Sequence, residues 1–135
     1  MSEVFADTQY WIAIINPHDQ WHRRAVTVSQ SLGRRRLVTT DDMLVEVLNF
    51  FAGYGVQMRQ IAAQSVRSIL HNANVEVLSI LPDDFSLGLA LYESRLDKGY
   101  SLTDCTAMNA MRRKGITEVL SGDKHFAQEG FTALL

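Results

Sequence analysis

Val4-Phe5-Ala6-Asp7-Thr8-Gln9-Tyr10-Trp11 sets a three-residue apolar run against a carboxylate and then enters a second apolar stretch. The run reads as a short strand, and Thr8 to Ile15, halted at Asn16-Pro17, reads as a helix. Asp7 therefore stands at the carboxyl end of the first strand. Two roles are open to it: N-cap of the helix, a position that Asp favours, or ligand to a metal ion.

The same rhythm recurs along the chain. Further strands are expected at Arg36–Thr39, Val75–Leu78 and Glu118–Ser121, with a last short one within Phe131–Leu134. Helical patterns run over His18–Leu32, Asp41–Ala52, Val56–His71, Asp83–Leu96 and Leu102–Lys114; Gly33, Gly53 and Gly115 close three of them, and Pro82 leads another. Proline near a start and glycine after an end follow helix punctuation. Strands separated by helices require right-handed parallel crossovers. The fold class expected is α/β: a three-layer α/β/α arrangement with a mostly parallel central sheet of four to five strands. Ligands of such sheets bind at the carboxyl ends of the strands.

With 135 residues, 47% hydrophobic and 21% charged, the chain reads as one globular domain over residues 1–135. The single cysteine, Cys105, rules out an internal disulfide framework. No signal core or bilayer-length apolar run is visible, so a cytoplasmic location and no membrane span are expected. Net charge is −2, which argues against a strongly basic nucleic-acid binder. Setting four clustered acids aside leaves 13 basic residues against 11 acidic ones. Arg23, Arg24, Arg34, Arg35, Arg36, Arg112, Arg113 and Lys114 then form clusters, read either as a solvated face or as a phosphate-contacting rim.

Four acids fall at strand ends or in first helical turns: Asp7, Glu46, Asp104 and Asp123. Each has an ordinary reading. Glu46 shares an i, i+4, i+7 stripe with Asp42 and Asn49, as a water-facing stripe does. Asp104 stands four before Met108 and seven before Met111, on the stripe its helix should bury, where an unpaired charge is costly; it also fits a capping box led by Ser101. Asp123 follows Gly122, whose freedom suits a sharp turn, and reads as a turn or cap residue. Yet a parallel sheet gathers all four at one edge, where carboxylates repel unless protons or cations neutralise them. Such oxygen donors suit Mg²⁺ or Mn²⁺, and the chemistry that follows is phosphodiester hydrolysis by metal-activated water.

The order Phe-Ala-Asp-Thr, Leu-Val-Glu-Val-Leu-Asn, Ser-Leu-Thr-Asp-Cys and Ser-Gly-Asp-Lys-His-Phe resembles the PIN domain, most closely the prokaryotic PIN proteins that include the VapC-type toxins. The resemblance covers essentially the whole chain. It implies a metal-dependent ribonuclease cleaving single-stranded or structured RNA, often the toxin of a type II toxin–antitoxin pair with a cognate antitoxin, and usually a homodimer. By the same resemblance Asp7, Glu46, Asp104 and Asp123 match the acidic quartet, and Thr8 matches the hydroxyl residue beside the first acid. Asp7 and Asp104 are then direct ligands, Glu46 a ligand or water-orienting base, and Asp123 a ligand directly or through water.

Other constellations are weaker. His18 and His22 have helical zinc spacing but no further ligands. Cys105 lies on an apolar helix face and reads as a core thiol. No Gly-rich nucleotide loop is present. Tyr10, Trp11 and Trp21 could stack on bases, but their spacing fits packing or a dimer surface better. Asp97 reads as a surface-loop acid, with an outer role near the quartet as the rival. Two other functions remain: a catalytically silent PIN-like binding or partner module, and a small α/β phosphatase-like domain using Asp7 and Lys124. The latter lacks a second acid at position 9, which is Gln9.

Overall fold

Each strand divides its side chains between two cores, and that alternation sorts the helices into layers. The computed structural model describes residues 2–135. In chain order the elements are β1 (Val4–Ala6), α1 (Thr8–Ile15), α2 (His22–Ser31), β2 (Leu37–Thr40), α3 (Asp41–Phe51), α4 (Val56–His71), β3 (Val75–Leu78), α5 (Pro82–Ser94), α6 (Leu102–Lys114), β4 (Glu118–Leu120), α7 (Lys124–Gln128) and β5 (Thr132–Ala133). Val4 and Ala6 pack with α1 to α4 on one face of the sheet, together with Leu120. Phe5, Val38 and Val119 enter the opposite core with Met108 and Met111 of α6 and Phe126 of α7. This is the two-residue period of a strand buried on both faces. The result is a three-layer α/β/α fold. Phe5 is fully buried, and a truncation such as Phe5→Ala costs about 3–5 kcal/mol at such a site.

The sheet has the order β3-β2-β1-β4-β5, and every pairing is parallel. The chain moves outward from β1 through β2 to β3 with its helices on one face, then crosses back to β4 with α5 and α6 on the other. Right-handed crossovers demand this change of face when the direction reverses. The reversal falls beside β1, so the crevice at its carboxyl end and that of β4 is the expected ligand position.

Most element boundaries agree with the sequence reading, and the differences have local causes. α2 begins at His22 rather than His18, because Asn16 Oδ1 accepts from His18 N–H at 3.1 Å and Asp19 Oδ1 from Trp21 N–H at 2.8 Å. Such side-chain bonds hold turns in competition with a helix. β2 runs one residue later than expected, through Thr40, whose hydroxyl donates to Asp42 Oδ1, so a polar residue ends the strand fully buried. α5 stops at Ser94 rather than Leu96. α7 is a five-residue helix that the sequence reading did not include, too short to show a periodic apolar face. Gly122 does not adopt a positive φ. Its smallness serves packing instead, since a Cβ there would lie 3.2 Å from Trp21 Cη2.

Among the described residues no helix is long and apolar enough to cross a membrane.

Candidate metal centre

The sequence places Asp7, Asp104 and Asp123 at the ends of elements and Glu46 on the second turn of α3, and the sheet turns them toward one edge. Asp7 follows β1 directly and is the N-cap of α1, its Oδ1 accepting from Thr8 N–H at 2.9 Å. Capping bonds normally reach the second or third helical N–H, so this contact leaves most of the usual capping role unfilled. The side chain is only 7% exposed. Burial pushes its pKa up to about 7; the Ser121 hydroxyl and Thr8 N–H draw it back, and the nearby Asp104 and Glu46 raise it again.

Glu46, on the second turn of α3, is half-buried. Its two carboxylate oxygens are held separately: Oε1 accepts from the Thr8 hydroxyl at 2.6 Å, and Oε2 from the Thr103 hydroxyl at 2.8 Å. The stripe with Asp42 and Asn49 does not face water as a unit. Asp42 turns inward, accepting from the Thr40 hydroxyl and from Thr106 Oγ1 at 2.9 Å. The Thr106–Asp42 bond ties α6 to α3, and so ties the helix carrying Asp104 to the one carrying Glu46. Burial raises the pKa of Asp42, which the Thr40 and Thr106 hydroxyls lower and Asp41 and Glu46 raise.

Asp104 fills the capping role that its spacing from Ser101 suggests. It completes a capping box with Ser101, accepting from Ser101 N–H at 3.0 Å while Ser101 Oγ accepts from its own N–H at 3.0 Å. Its carboxylate also faces the edge of the sheet, where burial raises its pKa, Asp123 raises it further and His125 lowers it. Asp123 caps α7 through His125 N–H at 2.9 Å. The loop carrying Asp123 is pinned by Gln9, whose Oε1 accepts from Gly122 N–H at 2.9 Å.

Donor atoms of Asp104, Asp123 and His125 lie within 4.8 Å of one another. Asp7 and Glu46 stand outside that tight group but couple to it through charge. Among the described residues no lysine or arginine forms an ion pair with any of the four acids; only His125 approaches Asp104 and Asp123. An all-carboxylate donor set with so little internal counter-charge fits a hard divalent cation such as Mg²⁺ or Mn²⁺. A groove of about 510 Å³, lined by Thr8, Ile12, Glu46, Asn49 and Phe50, opens beside Glu46.

The structure decides among the alternatives left open by the other sequence features. The basic run at the end of α6 is engaged within the molecule: Arg112 pairs with Glu129 at 2.7 Å, Arg113 with Asp84 at 2.9 Å, and Lys114 with Glu76 at 2.7 Å and Glu3 at 3.3 Å. Arg35 pairs with Glu118. These residues do not form a rim around the four acids. His18 and His22 share no helix face, and His22 Nδ1 lies 2.7 Å from Ala13 O. Cys105 is fully buried, and Tyr10 and Trp11 are core residues. Asp97 is an exposed loop acid beside Lys98. Thr103 and His125 were not singled out from the sequence. Thr103 immediately precedes Asp104, and its hydroxyl was the available signal; His125 is recognisable only once α7 is known to follow Asp123.

The PIN domain family model matches residues 4–131. Among solved structures, the chain is similar to Mycobacterium tuberculosis VapC20, a toxin that cleaves the sarcin–ricin loop, with 25% sequence identity and a TM-score of 0.84 over 96% of this chain and 96% of that one. No curated protein sequence matches.

Proposed function

The chain belongs to the PIN-domain family, and from that premise we propose that it is a VapC-like endoribonuclease dependent on Mg²⁺ or Mn²⁺. The observation that carries this reading is the gathering of Asp7, Glu46, Asp104 and Asp123 at the carboxyl edge of β1 and β4 with no lysine or arginine partner among the described residues. Asp7, Asp104 and Asp123 are proposed as ligands, and Glu46 as a ligand or water-orienting base. When bound, the divalent cation supplies Lewis-acid activation of water and offsets charge on the phosphate.

The chain's own groups do the positioning. The Thr8 and Thr103 hydroxyls hold Glu46 by both oxygens, so the carboxylate is fixed before substrate arrives. Gln9 fixes the turn that presents Asp123. Asp104 is locked by its capping box. Single-stranded or structured RNA enters by the groove beside Glu46. By likeness to VapC20, whose target is the sarcin–ricin loop, that loop is the first substrate to try.

The same reading makes the chain a cytoplasmic toxin with a cognate antitoxin, and a homodimer. Exposed apolar side chains on α3, including Val45, Leu48 and Phe50, and on α5, including Phe85 and Tyr92, supply surface for such association.

The test is cleavage of labelled single-stranded RNA and of a sarcin–ricin loop oligonucleotide with Mg²⁺, with Mn²⁺ and with chelator, beside Asp104→Asn. Metal-dependent cleavage that falls on the order of 10³-fold in the variant is expected, corresponding to the loss of several kcal/mol of transition-state stabilisation. No cleavage of any RNA, with no metal bound, would instead make the chain a silent binding module.

A further inference from the structure

We propose that His125 Nδ1 is a direct donor, alongside Asp104 and Asp123, to the divalent cation of this site, and that this nitrogen tilts the site toward Mn²⁺ over Mg²⁺. The inference rests on the metal-centre reading above and adds to it a ligand outside the acidic quartet.

The spacing is the first argument. Nδ1 lies 3.3 Å from Asp104 Oδ2 and 3.3 Å from Asp123 Oδ1. Both distances are long for a charge-assisted hydrogen bond, which usually spans about 2.7–2.9 Å. They are close to the roughly 3 Å between adjacent donors of an octahedral ion with bonds of about 2.1 Å. The nitrogen stands equally far from two carboxylate oxygens, and all three donor atoms lie within 4.8 Å of one another, a separation that one ion can bridge.

The second argument is that the ring is held for this position from behind. Its edge-to-face packing on Tyr100, with centroids 5.2 Å apart, sets the plane of the imidazole. Tyr100 is buried, and its hydroxyl donates to Glu129 Oε1 at 3.1 Å. Glu129 is in turn fixed by Arg95 at 2.6 Å and Arg112 at 2.7 Å. The two carboxylates are set just as firmly, Asp104 Oδ2 by Ser101 N–H and Asp123 Oδ1 by the backbone N–H of His125 itself. Outer contacts that orient an imidazole are a regular part of metal sites. A mixed nitrogen and oxygen donor set favours first-row transition ions relative to Mg²⁺, which prefers oxygen alone.

The experiment is a titration of purified protein with Mn²⁺ and, separately, Mg²⁺, for wild type, His125→Phe and Asp104→Asn. Electron spin-echo spectra of the Mn²⁺ form would be recorded for coupling to an imidazole ¹⁴N. Phe keeps the ring on Tyr100; His125→Gln serves as a second variant if thermal melts show that Phe disturbs the fold. The expected result is ¹⁴N coupling in wild type that disappears in the His125 variant. Mn²⁺ affinity should fall by about tenfold or more, with Mg²⁺ affinity changed far less. Mn²⁺ binding that needs Asp104 but lacks nitrogen coupling, with the Mn²⁺ to Mg²⁺ ratio unchanged in His125→Phe, would overturn the proposal and leave the four-acid site standing. No Mn²⁺ binding to wild type would overturn both.

Discussion

Glu129 and Asp7 are both carboxylates drawn away from water, Asp7 the more deeply, and the protein treats them in opposite ways. Burial alone would raise Glu129, but hydrogen bonds from Arg95, Arg112 and Tyr100 overcome it and hold its pKa at about 2. Asp7 receives no cation from the described residues, and burial drives its pKa up to about 7. The same residue class thus has its charge balanced from within in one place and left without a cation partner among the described residues in the other. A carboxylate that a protein buries without a partner is destabilising unless something arrives to meet it. On the proposed metal-centre reading, an external cation would supply the counter-charge that Asp7 lacks.

The comparison breaks most easily at Asp7. Asp7→Asn keeps an acceptor for Thr8 N–H but removes the charge. RNA cleavage should fall on the order of 10³-fold, while the metal-free protein at pH 8 becomes more stable, by up to about 4 kcal/mol if the whole upward shift is recovered. Paired activity assays and urea melts in chelator check both signs. A variant that is inactive and also less stable would mean that Asp7 serves the fold as a cap.

Glu129→Gln should do the reverse. It leaves Arg95 and Arg112 without their common anion, but those side chains are 37% and 43% exposed and can turn to water. The expected loss, read from urea melts beside wild type, is therefore well below that of a fully buried broken pair. Intrinsic metal affinity should change little, unless Tyr100 shifts and carries His125 with it.

The two sites also bend the stability curve in opposite directions. Between the ordinary carboxylate range and about pH 7 the folded chain keeps a proton on Asp7 that the unfolded chain has released, so stability falls as pH rises through that window. Below 4.5 the unfolded chain protonates Glu129 while the folded chain resists until about pH 2, so stability falls as pH drops through that range. Melts in chelator from pH 3 to pH 8 should give a maximum near pH 4–5. Saturating Mn²⁺ should flatten the alkaline limb and leave the acid limb alone; a metal-insensitive alkaline limb would separate Asp7 from the metal.

Much of this arrangement is legible in the sequence because acids at strand ends have few places to go. Val4 to Asp7 and Val119 to Asp123 are short runs ending at a carboxylate, and parallel crossovers bring such ends together. The Ser101 to Asp104 spacing announces its capping box. What is not legible depends on contacts between elements. The inward turn of Asp42 requires Thr106 from another helix, and the stripe it shares with Glu46 misleads because helical periodicity says nothing about which neighbour a polar face meets. The basic clusters mislead for a similar reason: Arg112 and Lys114 find acids on β3, near β1 and after α7, far away in sequence.

The smallest expected effect sharpens the role of Glu46. Thr103→Val removes the hydroxyl donated to Glu46 Oε2 at 2.8 Å and leaves Thr8 holding Oε1 at 2.6 Å. A hydrogen bond to a charged group contributes about 1.5–3 kcal/mol when desolvated, and the half-buried site reduces that to roughly 1 kcal/mol, or between five- and tenfold in rate. If Glu46 orients water, the loss should appear in kcat with KM nearly unchanged, since a loosened carboxylate misplaces the attacking group more than it weakens binding. Metal affinity should then stay within about twofold of wild type, because one oxygen remains fixed. A fall in Mn²⁺ affinity that matches the fall in kcat would make Glu46 a ligand whose geometry Thr103 maintains. Thr103→Ser, which restores the hydroxyl, should recover the wild-type rate in either case and separate the hydrogen bond from the packing of the lost methyl group.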